Sequence, residues 1–156
     1  MRHEDLLALC GSARWAEVMS EHAPFVDHSA LHAAADLAFE VLDEADWLEA
    51  FAHHPRIGDV NELHKRFAAS GASSEREQAG IAGAAEDVIQ AIADGNDEYE
   101  RRFGFVFLVR AAGRSAEEML AMQRERLAHD RETELAIAAQ QQREITHGRI
   151  DGLALD

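Results

Sequence analysis

Apolar residues recur every three to four positions along most of the chain, the spacing of one face of an α-helix. Glycine or proline interrupts this pattern at Gly11-Ser12 and at Pro24, so two short helices are expected before a longer one. In the longer one, the repeating apolar positions are Leu31, Ala34, Ala35, Ala38, Phe39 and Leu42. The pattern predicts an all-α protein.

Polar residues in front of these apolar runs mark where helices begin. We expect Asp27 or Ser29 to cap the helix that contains Leu31, and Asp43 to cap the next helix, because a side-chain oxygen there accepts a backbone N–H. The helix that follows Asp43 must end near His54, since the residue before a proline avoids the α region.

The second half of the chain continues the helical pattern. A short helix, "NELHKRFAAS", precedes a long one, residues 73–104, in which Gly95-Asn96 is a candidate break. Two further helices are expected from about Ser115 to Ala128 and from about Asp130 to Gly148 or beyond. A chain of 156 residues suits a single domain over residues 1–156.

The segment "FGFVFLVR", residues 103–110, differs from its surroundings because it is aromatic and β-branched. Its pattern is that of a strand. With no partner strand in the sequence, a buried extended segment is the better prediction. Gly104 would let the backbone approach a ligand closely, and unpaired N–H and C=O groups could bind a polar heterocycle.

Composition narrows the class of partner. Thirty alanines and two prolines agree with a mostly helical, globular chain. The net charge of -15 argues against nucleic acid or an anionic membrane as a partner. The single Cys10 fits a reducing compartment, and no apolar run approaches the ~20 residues that cross a bilayer. The N-terminus lacks the pattern of a signal peptide, so the cytoplasm is the expected location.

The polar stretch "AHHPRIGDV", residues 52–60, is the first candidate for chemistry. A histidine at a helix end is most often a partner of the helix dipole, but a rigid turn after it is also how sites are presented. A metal site could draw on His53, His54, Asp59, His64 and Glu77. Their spacing matches no zinc pattern, so no metal is expected.

Glu77 has a structural role available to it. "S-x-x-E" is a capping box, with Ser74 as the N-cap and Glu77 reaching back to it. A carboxylate in the first turn of a helix is stabilised as an anion by the dipole. Such a group suits a base or an orienting role, and it can serve as a cap at the same time.

Three motifs keep a consistent order and spacing: "HPRIGD" at 54–59, "SEREQAG" at 74–80 and "FGFVFLVRAAGRS" at 103–115. Together they resemble the 2-oxo-4-hydroxy-4-carboxy-5-ureidoimidazoline (OHCU) decarboxylases of uric acid breakdown, from about residue 25 to 153. Val106 departs from the family, which usually has proline there. The last helix adds a matching set of positions: Glu134, Ala138, Gln142, Ile145 and Arg149.

The resemblance implies an all-helical fold that is usually a homodimer and needs no cofactor. It implies a carbon–carbon lyase that decarboxylates OHCU to (S)-allantoin. By position, His54 resembles the catalytic histidine of the family and Glu77 its partner carboxylate. Arg149 matches an arginine that binds the substrate carboxylate. The other implied substrate-binding residues are Pro55, Ser74, Gln78 and the backbone of Leu108, Val109, Arg110 and Ala111.

Two other classes stay open at this point. In a non-catalytic helical interaction domain, the break at residues 53–59 would be only a turn, and the protein would be inert towards OHCU. In a metal-dependent hydrolase that uses the histidines, chelation would abolish activity.

Overall fold

The computed structural model describes residues 1–54, 75–110 and 114–155, with only the backbone described for residues 75–85. Within these ranges the chain forms seven α-helices and no β-strand, which confirms the predicted all-α class. None of these helices is long and apolar enough to span a membrane. The helices are α1 (His3–Cys10), α2 (Ala13–Glu21), α3 (His28–Glu40), α4 (Glu44–Ala52), α5 (Glu75–Phe103), α6 (Ala116–Leu127) and α7 (Arg131–Asp151).

The predicted caps are present where the structure describes them. The Asp27 side chain accepts the N–H of Ala30 at 2.8 Å, and Asp43 and Asp46 form a reciprocal capping box at the start of α4. That helix ends at Ala52, as the proline at position 55 requires. The predicted short helix "NELHKRFAAS" and the predicted cap Ser74 lie outside the described residues.

The chain divides into two compact units. Of the described residues, the first unit comprises 1–54, 108–110 and 135–155, and the second comprises 75–107 and 114–134. The prediction of one domain over residues 1–156 stays a prediction.

Aromatic rings form the centre of the first unit. Phe39 lies with its ring centroid 5.6 Å from that of Trp15 and 5.5 Å from that of Trp47, and all three rings are buried. The Trp15 Nε1–H donates to the Ala35 carbonyl at 3.3 Å, so the buried indole keeps a hydrogen bond. The Arg143 guanidinium of α7 lies 5.0 Å over the Trp47 ring. Helices α2, α3, α4 and α7 therefore share one aromatic cluster.

A second contact between α3 and α7 consists of two histidines and two carboxylates. The Nδ1 atoms of His32 and His147 lie 2.6 Å apart, within hydrogen-bonding distance. Each Nε2 faces a carboxylate of the opposite helix at 2.7 Å, His32 towards Asp151 and His147 towards Asp36. The two imidazoles and the two carboxylates thus form one polar contact between α3 and α7.

The candidate break at Gly95-Asn96 is wrong, because α5 runs without interruption from Glu75 to Phe103. Gly95 serves close packing instead. A Cβ at this position would collide with the side-chain amide of Gln123. That amide is buried and donates to the Asn96 Oδ1 at 2.7 Å and to the Ile92 carbonyl at 3.1 Å. Because Gly95 has no side chain, α6 can pack closely against α5 at this point.

The segment predicted over residues 103–110 begins one residue later, since Phe103 still belongs to α5. Gly104 follows in the left-handed region at φ +83°, and its N–H donates to the Glu100 carbonyl at 2.9 Å. Residues 106–110 have no regular structure, which excludes the strand alternative for this segment. Phe105 is buried and lies against the Tyr99 ring at 5.8 Å.

A buried carboxylate, Glu134, stabilises the second unit. Its Oε1 accepts from the Tyr99 hydroxyl at 2.6 Å and from the Arg126 Nε–H at 2.7 Å, and its Oε2 pairs with the His129 Nδ1 at 2.7 Å. A buried charge is tolerated only when it is paired and hydrogen-bonded in this way. Burial also raises the pKa of the Tyr99 hydroxyl well above its usual range, so that group acts only as a neutral donor.

We expect Gly11→Ala to destabilise the protein by about 3 kcal/mol. Gly11 lies at φ +87°, and an added Cβ would be 2.7 Å from the His53 Cβ. Gly104→Ala is the matched control, because Gly104 has φ +83° but no atom within 4 Å of the added Cβ. That change should cost only the left-handed strain, about 1 kcal/mol. Urea unfolding of both variants gives the two values, and equal losses would show that contact with His53 costs nothing.

Candidate active site

His54 is presented by the end of α4. Its backbone N–H donates to the Phe51 carbonyl at 3.1 Å and so completes the last turn of the helix. The preceding residue, His53, points elsewhere, and its Nδ1 lies 3.1 Å from the Glu49 carbonyl. The two neighbouring histidines therefore have different surroundings. His54 is half-buried, whereas His53 is exposed.

The His54 ring is held by the last helix. Its Nε2 lies 2.7 Å from the Gln142 Oε1. The Gln142 Nε2 then donates to the Thr146 hydroxyl at 3.0 Å, and that hydroxyl donates to the Leu9 carbonyl at 2.9 Å. Gln142 and Thr146 are fully buried. A continuous chain of three hydrogen bonds thus runs from the imidazole to the backbone of α1.

Arg149 lies one turn beyond Thr146 on α7. Its Nη1 donates to the Ala8 and Leu9 carbonyls at 3.4 and 3.2 Å, which satisfies carbonyls at the end of α1. Towards the residues that the structure describes, its Nε and Nη2 donate no hydrogen bond. Nε and Nη2 form one edge of the guanidinium. Through this edge an arginine can donate two parallel hydrogen bonds to a carboxylate.

Burial lowers the pKa of the His54 imidazole below its ordinary value, and the positive charges of Arg149 and His53 lower it further. The hydrogen bond to Gln142 acts in the opposite direction. His54 is therefore neutral at neutral pH. Because the unfolded imidazole keeps its ordinary pKa near 6.5, the unfolded chain takes up this proton first as the pH falls. The contribution of His54 to stability is accordingly lost as the pH falls from about 6.5 through the folded pKa.

The segment 108–110 contributes to the same unit. Leu108 and Val109 are buried, and the Arg110 N–H donates to the Gln141 Oε1 at 2.7 Å. The backbone amide of Arg110, one of those that the resemblance assigns to the substrate, thus has a side-chain partner in this structure. The Arg110 guanidinium lies 3.5 Å from the position that a Cβ of Gly148 would occupy.

The structure therefore brings His54, Arg149 and the segment Leu108–Arg110 into one unit. Glu77 and Gln78 lie in the first turns of α5, where only the backbone is described. Pro55, Ser74 and Ala111 lie outside the described residues, as do Asp59 and His64. In the part of the chain that the structure describes, no group of three His, Cys, Asp or Glu side chains is arranged to hold a metal ion.

Sequence reasoning assigned no role to Thr146 and named Gln142 only as a matching position. The available signal was a polar residue on the buried face of a helix. Gln142 follows Ala138 by four positions and precedes Thr146 by four, so all three lie on one face. A buried amide on an apolar face must find a hydrogen-bond partner, and here the partner is the candidate catalytic histidine.

The chain belongs to the OHCU decarboxylase family, whose model matches residues 2–151. It is 35% identical over 149 residues to the uric acid degradation bifunctional protein TTL of Arabidopsis thaliana. That match covers 94% of this chain but 45% of the relative, so the chain spans about half the length of the curated relative it matches.

Two solved structures share the fold. One is an OHCU decarboxylase determined in the presence of (S)-allantoin, with a TM-score of 0.76, 32% identity and 97% of each chain covered. The other is an (S)-allantoin synthase with a TM-score of 0.69 and 19% identity, in which 96% of this chain matches 48% of that one. The second likeness concerns the fold alone.

We expect Arg149→Gln to raise the pKa of His54, because the change removes a positive charge that disfavours the imidazolium. The His54 Cε1–H resonance, followed by NMR against pH, reports this pKa. Arg143→Gln is the matched control on the same helix, since the Arg143 guanidinium lies over the Trp47 ring instead. A His54 pKa that is unchanged or lower in Arg149→Gln would contradict the electrostatic role of Arg149.

Proposed function

We propose that this protein decarboxylates OHCU to (S)-allantoin without a cofactor. The observation that carries the proposal is the placement of His54, an imidazole that burial keeps neutral and that lies in the same unit as Arg149. The chain belongs to the OHCU decarboxylase family, and a neutral imidazole can accept or return a proton at working pH. The geometry and the family support the same reaction.

The reaction requires no external electron sink. The substrate carbon that carries the carboxylate also carries a hydroxyl and adjoins a C=N bond. When the bond to the carboxylate breaks and CO2 leaves, its electron pair forms a C=C bond and the C=N nitrogen gains the displaced pair and a proton. The hydroxyl then loses its proton to become a carbonyl, and the neighbouring carbon gains a proton on one face. The net change is one proton taken up and one CO2 released.

His54 and Glu77 are the proposed proton-transfer groups. His54 accepts a proton readily because it is neutral, and a positioned general base or acid contributes typically ~10²–10⁴-fold. Glu77, in the first turn of α5, is favoured as an anion by the helix dipole and can hydrogen-bond a substrate OH or NH. An imidazole together with a carboxylate suits a reaction that moves several protons.

Arg149 is the proposed binder of the substrate carboxylate. Its Nη1 is held by two carbonyls of α1, which orients the Nε–Nη2 edge for a bidentate pair. In a protein of net charge -15, such a fixed cation offsets the general repulsion of an anionic substrate. The other proposed substrate contacts are Pro55, Ser74, Gln78 and the backbone of Leu108, Val109, Arg110 and Ala111.

Three further properties belong to the same proposal. The resemblance supports a homodimer, which light scattering of the purified protein checks. The composition supports a cytoplasmic location. The absence of a required metal ion is checked by chelation. A protein inert towards OHCU would support the helical interaction domain, and activity restored by added metal would support the metal-dependent hydrolase.

We expect the purified protein to accelerate the decay of freshly generated OHCU and to form (S)-allantoin in excess, with the same rate in EDTA. Circular dichroism follows the chiral product. His54→Ala should lower kcat at least 10²-fold, because it removes the proposed acid–base group. His53→Ala, the neighbouring control, should keep near-normal turnover. Equal losses in the two variants would mean that His54 is not the specific group.

We expect Arg149→Ala to raise KM for OHCU about tenfold or more, since a charged hydrogen-bonded pair is lost. The carboxylate loses its charge as CO2 leaves, so this pair stabilises the ground state more than the transition state, and kcat should fall no more than KM rises. Arg143→Ala on the same helix should leave KM unchanged. If Arg149→Ala leaves KM unchanged and Arg56→Ala abolishes binding, the carboxylate site lies at the HPRIGD turn instead.

A further inference from the structure

The hydrogen bonds around Gln142 determine which nitrogen of His54 carries the proton. The Thr146 hydroxyl oxygen lies 2.9 Å from the backbone carbonyl oxygen of Leu9. Because a carbonyl oxygen can only accept a hydrogen bond, the Thr146 hydroxyl proton must point towards it. The Thr146 oxygen is then an acceptor for Gln142, and the Gln142 atom that faces it must be the N–H donor, Nε2. It follows that the Gln142 oxygen faces His54.

An amide oxygen can only accept a hydrogen bond. The His54 Nε2, 2.7 Å from this oxygen, must therefore be the protonated nitrogen. In a neutral imidazole the other nitrogen, Nδ1, then carries the lone pair. The orientation of one threonine hydroxyl thus determines the tautomer of a ring two hydrogen bonds away.

The neighbouring thiol does not disturb this arrangement. Cys10 is buried beside Thr146, and burial raises the pKa of its thiol to about 12, so it is a neutral group at working pH. A neutral thiol is a weak acceptor, and it does not compete with a backbone carbonyl for the Thr146 proton. Among the residues that the structure describes, the charged or titratable groups that act on the pKa of His54 are Arg149 and His53, and neither supplies an acceptor for its Nε2–H.

We propose that Gln142 and Thr146 are positioning residues that hold His54 as the Nε2–H tautomer, so that Nδ1 is the atom that exchanges a proton with the substrate. This inference rests on the proposed function for its kinetic part, but the tautomer itself is a property of the free protein. Gln142 and Thr146 act through His54, and neither is assigned a contact with the reacting atoms.

Thr146→Val tests the inference because valine keeps the shape of threonine and has a methyl group in place of the hydroxyl. Without that acceptor, the Gln142 amide can turn over and present its N–H to His54, which favours the Nδ1–H tautomer instead. The tautomer is measured by two-bond ¹H–¹⁵N correlation spectra of the ¹⁵N-histidine-labelled protein, with His54→Gln to assign the resonance. We expect wild type to show Nε2–H and Thr146→Val to show an increased Nδ1–H fraction.

The kinetic readout follows from the same change. We expect kcat for OHCU to fall about tenfold in Thr146→Val with KM nearly unchanged, the size expected from one lost hydrogen bond. Thr146→Ser restores the hydroxyl and should restore both the tautomer and kcat. Thr133→Val, which removes an exposed hydroxyl at the start of the same helix, should change neither. Thermal unfolding of each variant confirms that the comparison is made on folded protein.

The outcomes separate this inference from the proposed function. Active wild type with a Thr146→Val variant of unchanged tautomer and unchanged kcat would overturn the inference and leave the proposed function standing. Wild type that is inert towards OHCU but shows the tautomer change would overturn the proposed function and support the positioning role. Wild-type His54 found as Nδ1–H would overturn the inference whatever the activity, and if Thr146→Val does not fold, this measurement alone decides.

Discussion

A buried polar group must find a hydrogen-bond partner, and helix α7 buries three such groups. Glu134, Gln142 and Thr146 are each 0% exposed. Glu134 belongs to the second unit and is satisfied by a tyrosine, an arginine and a histidine, whereas Gln142 and Thr146 belong to the first unit. Leaving Gln142 or Thr146 unpaired would cost about 1–3 kcal/mol or more, so the rotation of the first-unit part of α7 about the helix axis is closely specified within that unit.

In the first unit, the same requirement also fixes the position of the candidate catalytic histidine. Apolar packing around Phe39 would tolerate small adjustments of α7, but hydrogen bonds of 2.7 to 3.0 Å have a narrow range of distance and angle. The imidazole of His54 is therefore held by the groups that align the helix. When every member is paired, a buried polar chain of this kind rigidifies the core and specifies one arrangement among many similar ones.

Local patterns predicted much of the fold. The apolar spacing identified the helices, and the caps Asp27 and Asp43 were found because capping depends on one residue and its immediate neighbours. Gly95 was misread as a break because its role depends on Gln123, which is distant in sequence. In the candidate site, too, local features could be predicted and long-range contacts could not. The motif around His54 was visible in the sequence, but its partner Gln142 is 88 residues away, and no local rule relates the two.

The hydrogen-bond chain from His54 ends on a main-chain oxygen, that of Leu9, which also accepts from Arg149. Every amino acid supplies this carbonyl, so the end of the chain does not depend on which side chain occupies position 9. In evolutionary terms, residues 142 and 146 are expected to vary together, because each needs a matching donor or acceptor, whereas the proposed chemistry holds residue 54 constant. Position 9 is released from that constraint, and a search for co-varying residue pairs would identify the side chains of this network without its backbone anchor.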